Sequence, residues 1–182
     1  DYKRLSELIK TQSPDIIVHC AGITHQKLGG MTRDEYINVN TIATEHIAKL
    51  AIESNTHVYF IFLSSISVYG EEKNYEAIKE EYIGNPSSDY AFSKLDAENR
   101  LIKLHRSGKL KKLDILRLAP VYTSDWSLNL DKRVFAPKKL AYIKFGSGEQ
   151  EMSAVSRQNL VDFIEYRINQ EQDNSADSSF CK

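Results

Sequence analysis

The sequence predicts an α/β domain built on a parallel sheet, and two observations carry that prediction. Three short apolar runs, at 15–20, 58–63 and 113–118, have the length and composition of buried strands. Segments with helical periodicity precede each of them, so the chain reads helix–strand three times in succession. Such alternation implies parallel strands with helices on both faces.

The elements follow in order. Leu5, Leu8 and Ile9 share one helical face in the opening segment, which stops near Ser13-Pro14. Asp15-Ile16-Ile17-Val18-His19-Cys20-Ala21-Gly22 is a β-branched run that leaves the core at a glycine. A loop over 23–31 carries Gly29-Gly30. Thr32 and Glu35 then stand at capping-box spacing before a helix that runs to about Ser54. Its apolar stripe is Tyr36, Val39, Ala43, Ile47, Leu50 and Ala51. The second strand, Val58 to Leu63, continues into Ser64-Ser65-Ile66-Ser67-Val68-Tyr69-Gly70. A charged loop over about 71–86 is followed by Asn85-Pro86-Ser87-Ser88-Asp89, rich in cap residues, which opens a helix to Ser107 with Gly108 behind it. Leu113 to Leu118 is the third strand, ending at Ala119-Pro120. Residues 121–150 read as irregular with a turn at Gly146-Ser147-Gly148, Leu160 to Ile168 as a short helix, and the tail from Asn169 as frayed.

Composition narrows the function classes. Of 182 residues, 41% are hydrophobic; 24 Lys and Arg balance 25 Asp and Glu to a net charge of -1. That balance gives no electrostatic footprint for nucleic acid or an anionic membrane. No apolar run approaches the length of a membrane span. Two cysteines, Cys20 and Cys181, cannot make a disulfide framework or a Cys-rich zinc site. His19, His25, His46, His57 and His105 show no metal-ligand spacing with a carboxylate, so no metal is assigned. A soluble, cytoplasmic domain is expected. The chain opens on Asp1 with helical character and reads as a piece of a longer protein.

In open parallel sheets the working crevice lies at the carboxyl ends of the strands. His19 to Gly22, Ser64-Ser65 and Ala119 to Tyr122 fall there. Tyr90 and Lys94 are four residues apart at the start of a helix, hence on one face. A phenol titrates near pH 10, and a neighbouring ammonium favours its ionised form. A serine hydroxyl from an adjacent strand end would hydrogen-bond the same substrate oxygen. Taken alone, the pair also fits a surface helix with a solvated lysine.

Further pieces occur in a fixed order: the strand ending His19-Cys20-Ala21-Gly22, Asn38-Val39-Asn40-Thr41, Leu63 to Gly70, Tyr90-Ala91-Phe92-Ser93-Lys94, and Leu116-Arg117 through Val121-Tyr122. In these the chain resembles the extended short-chain dehydrogenase/reductase family, in its NAD-dependent epimerase/dehydratase branch, from about Asp15 to Asp162. The resemblance implies a truncated Rossmann-like, doubly wound parallel sheet over 1–125 and part of a small substrate lobe over 126–182. It implies Tyr90 as catalytic acid/base. Lys94 would bind the nicotinamide ribose and lower the tyrosine pKa, and Ser65 would orient the reacting oxygen. Cys20, Ala21, Gly22, Asn40, Ser64, Leu118 and Ala119 would lie along the dinucleotide with Tyr90 and Lys94. The cofactor would be NAD or NADP, and the substrate a sugar, in particular a nucleotide sugar.

The sequence departs from that family's pattern in places. No G-x-x-G-x-x-G turn occurs in it, and with that turn the residue selecting NAD or NADP is absent. Met152 stands where many sugar-nucleotide epimerases carry an arginine, although Arg157 is near, and Thr24 stands where some carry lysine. Ile66-Ser67 lack the acidic residues of dehydratases, so simple reduction and epimerisation stay open. A non-catalytic dinucleotide-binding relative, or an inert fragment prone to homo-oligomerise through uncovered sheet edges, is the alternative. Cys20 is expected as a small buried hydrophobe, His19 as positional, and Trp126 as core or pocket lining.

Overall fold

A computed structural model describes residues 2–24, 30–70, 78–124, 147 and 153–180, the side chains of the last helix only to 171. The chain divides into two compact units, Asp1–Arg117 and Leu118–Lys182. The expected boundary at 125/126, the loop glycine Gly29, the Trp126 region and most of the 146–148 turn lie outside the described residues.

In the first unit, α1 (Tyr2–Gln12) buries Ile9 and packs Leu5 against the core. It stops at Ser13, whose φ of 42° is left-handed and costly for a residue with a Cβ. The Ser13 hydroxyl donates to the Ser54 carbonyl at 2.9 Å, tying the end of α1 to the end of the helix beside it. Strand β1 (Ile16–His19) then runs parallel to β2 (Tyr59–Ser65), with Ile16 opposite Tyr59 and His19 opposite Phe62. Strand β3 (Lys112–Leu118) completes a sheet of order β1-β2-β3. The central place of β2 explains its run of buried residues from Tyr59 to Phe62. Val58, Phe60 and Phe62 face a core shared with Ala48, Leu50, Ala51, Ala97, Leu101 and Leu110.

The Thr32–Glu35 capping box is present in both directions and opens α2 (Arg33–Tyr36). The predicted single helix to Ser54 is continuous but not regular. Between α2 and α3 (Ala43–Ser54) the backbone widens to a π-helical stretch over Ile37–Ile42. A π turn takes more residues than an α turn and rotates the following face. This is why Val39, expected in the apolar stripe, is 41% exposed, while Asn40 and Thr41 are fully buried.

Helix α4 (Asp89–Arg106) starts on Ser88, whose hydroxyl accepts from the Ala91 amide at 3.2 Å. It ends before Gly108, at φ 73°, as the glycine suggested. In the second unit, β4 (Val121–Tyr122) pairs in parallel with β5 (Val155–Ser156). Helix α5 (Arg157–Phe180) is longer than the short helix expected over 160–168. The stretch from Asn169 holds neither Gly nor Pro, so no local breaker ends it. No helix among the described residues is long and apolar enough to cross a membrane.

Candidate functional site

The residues singled out in the first unit gather where β1 and β2 end. Successive side chains of a strand point to opposite faces, and Ser64 and Ser65 show the consequence. Ser65 caps the short turn Ile66–Tyr69: its Oγ accepts from the Ser67 amide at 3.2 Å and donates to the Ser67 hydroxyl at 3.0 Å. Held so, it lies beside the Tyr90 phenol and pulls the phenol's pKa down. Ser64 turns the other way, is buried, and donates to the Glu98 carboxylate. Ser64, expected along a dinucleotide, thus gives its hydroxyl proton to a carboxylate inside the protein.

Tyr90 is half-buried in the first turn of α4, its ring edge-on to Tyr36 with centroids 6.2 Å apart. Burial pushes its phenol above the usual value. The nearby Ser65 hydroxyl pulls the other way, and Tyr36 adds to the rise. Lowering by Lys94, expected from the four-residue spacing, is not what the structure shows. The Lys94 ammonium is instead 2.7 Å from the Leu63 carbonyl oxygen, to which it donates, and 4.5 Å from the centre of the Phe62 ring. Lys94 is 4% exposed, and its pKa is lowered to about 8 by burial, with Glu98 and Cys20 opposing.

The turn after β1 lies against the same ammonium. A Cβ added at Gly22 would stand 3.6 Å from Lys94 Nζ and 3.1 Å from Asn40 Oδ1, so only glycine lets this backbone in without displacement. Asn40, buried in the π-helical stretch, clamps the turn: Oδ1 accepts from the Ile23 amide at 2.8 Å and Nδ2 donates to the Ile23 carbonyl at 3.0 Å. Nδ2 also donates to Ser93 Oγ at 3.0 Å, which donates to the Tyr90 carbonyl at 2.7 Å. Asn40 was expected near a cofactor; it holds the turn and α4 together, with all of its side-chain bonds internal. Cys20 and Ala21 are exposed at this turn. Cys20 was expected buried; its thiol is raised above its ordinary pKa by partial burial, against the pull of Lys94, and stays protonated at neutral pH.

His19 is positional. The Thr44 hydroxyl donates to the Asn40 carbonyl at 2.7 Å, so at 2.8 Å from His19 Nε2 it must accept, which places the imidazole proton on Nε2. The ring stacks on Phe62, and burial together with Lys94 lowers its pKa to about 4. Leu118 closes β3 and Ala119 follows it, both half-buried and both in the second unit. No group of three or more His, Cys, Asp or Glu among the described residues could hold a metal. Sequence reasoning missed the Tyr36–Tyr90 contact, the Asn40 clamp, and a buried carboxylate, Glu98, four residues after Lys94. The 90-94-98 spacing was visible; the partner of Glu98, Arg117 on β3, was visible only as a charge in a strand.

Residues 1–171 match the family model described as the NAD dependent epimerase/dehydratase family. Over 155 residues the sequence is 35% identical to a UDP-glucose 4-epimerase of Vibrio cholerae, a match that covers 82% of this chain and 46% of the relative. A UDP-glucuronic acid 4-epimerase from Bacillus cereus in complex with NAD is similar at TM-score 0.54 and 27% identity, over 67% of this chain and 38% of that one. Pal from Bacillus thuringiensis is similar at TM-score 0.68 and 21% identity, over 90% of this chain and 53% of that one, a likeness of fold. The chain thus spans about half the length of the curated relative it matches.

Proposed function

This chain belongs to the NAD dependent epimerase/dehydratase family, and from that premise we propose that the whole protein is an NAD(P)-dependent enzyme acting on a carbinol carbon of a nucleotide sugar. The observation that carries the reading is the Ser65–Tyr90 hydroxyl pair, with the buried Lys94 ammonium one helical turn on.

The residues present fit the nicotinamide-ribose half of such a cofactor. Gly22 opens the turn to close backbone approach, and Lys94 offers a buried donor beside it. Residues 1–182 hold no glycine-rich phosphate turn, so they offer no comparable cradle for the pyrophosphate. When bound, the nicotinamide supplies a hydride acceptor or donor.

Tyr90 is the proton-transferring group. Its raised pKa keeps the phenol protonated at neutral pH, ready to donate to an oxygen that gains charge. Removing a proton in the opposite direction requires the phenolate, which a cation brought near it would favour. Ser65 donates to the same substrate oxygen and fixes its distance from the phenol. Lys94 holds the ribose and carries the positive charge at the strand end. Asn40 keeps the turn and α4 in register while these groups act. Epimerisation is favoured as the outcome by the identity to a UDP-glucose 4-epimerase.

Incubating the whole protein with UDP-glucose, and separately with UDP-glucuronic acid, in the presence of NAD tests the reading. Sugar-proton NMR is expected to show the 4-epimer accumulating in one arm. If neither sugar is inverted, oxidised or dehydrated with NAD or with NADP, the nucleotide-sugar reading is overturned.

A further inference from the structure

Tyr90, Lys94 and Glu98 form a stripe at four-residue spacing along α4, and each meets a different group at the end of β2. The Tyr90 phenol lies beside the Ser65 hydroxyl, which draws its pKa down. Lys94 donates to the Leu63 carbonyl at 2.7 Å. Glu98, which is 1% exposed, accepts from the Ser64 hydroxyl. Two of three consecutive residues at this strand end are therefore bonded to successive turns of one helix, and the third lies beside the turn before them.

The Glu98 carboxylate is anchored from a second strand as well. Arg117 on β3 donates to it through Nη2 at 2.8 Å and through Nε at 3.1 and 3.2 Å. The same guanidinium lies 4.7 Å from the centre of the Tyr69 ring, and its Nη1 is 3.4 Å from the carbonyls of Glu80 and Tyr82. One buried charge pair thus joins α4, two strands and the segment that follows the Ser65 turn. A buried ion pair is poor evidence of stabilisation, because well-packed apolar residues often do as well. What apolar residues cannot do is fix a register, since they lack directional bonds.

We propose that Glu98 is a positioning residue: by tying Ser64 and Arg117 to α4, it sets the register in which the Tyr90 phenol meets the Ser65 hydroxyl. The inference rests on the reading of Ser65, Tyr90 and Lys94 as the reacting cluster, and its test reads geometry instead of turnover.

The 182-residue chain is labelled at the tyrosine ring carbons, and the Tyr90 signal is identified among the ten tyrosines as the one lost in Tyr90→Phe. The titration midpoint of that signal is then compared in the parent, Ser64→Ala, Glu98→Gln and Glu98→Ala. The groups that face this phenol are Ser65 and Tyr36, with Lys94 one turn away. Since the nearby Ser65 hydroxyl draws the phenol's pKa down, loss of register is expected to move the midpoint up by about half a pH unit or more in Glu98→Ala and Ser64→Ala. Glu98→Gln keeps an acceptor for Ser64 and is expected to move it less than Glu98→Ala. A purely structural role would lower the melting temperature and leave the midpoint in place. Should Glu98→Ala fail to fold, Ser64→Ala decides, because it removes one hydroxyl and leaves the Glu98–Arg117 pair intact. A midpoint unchanged in folded Ser64→Ala overturns the proposal. Normal turnover in Tyr90→Phe would overturn the reading of the cluster instead, and would leave this titration result standing.

Discussion

Tyr90→Phe in the whole protein is expected to lower turnover of the proposed nucleotide-sugar substrate by about 10²–10⁴-fold, the range that a positioned proton-transfer group contributes. The substitution removes one oxygen and keeps the ring that packs edge-on against Tyr36. The fold should therefore stay intact, and the melting temperature should change little. Affinity for NAD(P) should also hold, since Lys94 and the 20–23 turn keep their places: the lysine on the Leu63 carbonyl, the turn in the Asn40 clamp. The diagnostic pattern is a fall in kcat with KM for the dinucleotide unchanged. A fall in kcat with a rise in KM, together with a lower melting temperature, would identify Tyr90 as a packing residue. A normal kcat would remove it from the chemistry.

The second large effect concerns acid stability. His19 is buried, neutral and stacked on Phe62, with a pKa lowered to about 4 from an ordinary 6.5. Between those two values the unfolded chain binds a proton that the folded chain refuses. The folded state therefore loses stability as pH falls through this window and has lost the full amount once pH is below both values. The loss from this one group is roughly 3 kcal/mol. His19→Gln retains an N–H donor for the Thr44 hydroxyl and cannot take up a proton. Urea unfolding at neutral pH and near pH 4.5 measures the difference. The variant is expected to lose less stability than the parent over that interval, and equal losses would show that His19 is not the group responsible.

Much of the fold was legible because it follows from local rules. The Thr32–Glu35 box, the Ser88 cap and Gly108 each act within one turn of chain, so residue type and spacing suffice to place them. The parallel pairing of β1 with β2 followed from helices standing between apolar runs. What escaped depends on partners distant in sequence. The π-helical stretch at 37–42 exists because Asn40 and Thr41 are drawn inward by Ile23 and Ser93, and no periodicity within the helix announces that. The candidate site divides in the same way. Tyr90, Lys94 and Ser65 were recognisable from spacing and resemblance, and the structure brings them to one strand end. The direction of the Tyr90 pKa was not, because it is set by the depth at which the fold buries the phenol, while Lys94 is directed at the Leu63 carbonyl. The Ser64–Glu98 bond was not legible for a simpler reason: the alternation of β2 decides which of two adjacent serines meets Glu98.

The ends of β1 and β2 are proposed as the nicotinamide side of a dinucleotide site, with Tyr90 and Ser65 at its reacting end. Amide NMR spectra of the 182-residue chain, titrated with NAD and separately with NADP, test it most directly. Saturable shifts are expected, with binding weaker than micromolar because the sequence holds no G-x-x-G-x-x-G phosphate turn, concentrated at Cys20, Ala21, Gly22, Ile23, Ser65, Tyr90 and Lys94, and lost in Lys94→Ala. Shifts that cluster elsewhere, or that persist unchanged in folded Lys94→Ala, would contradict it.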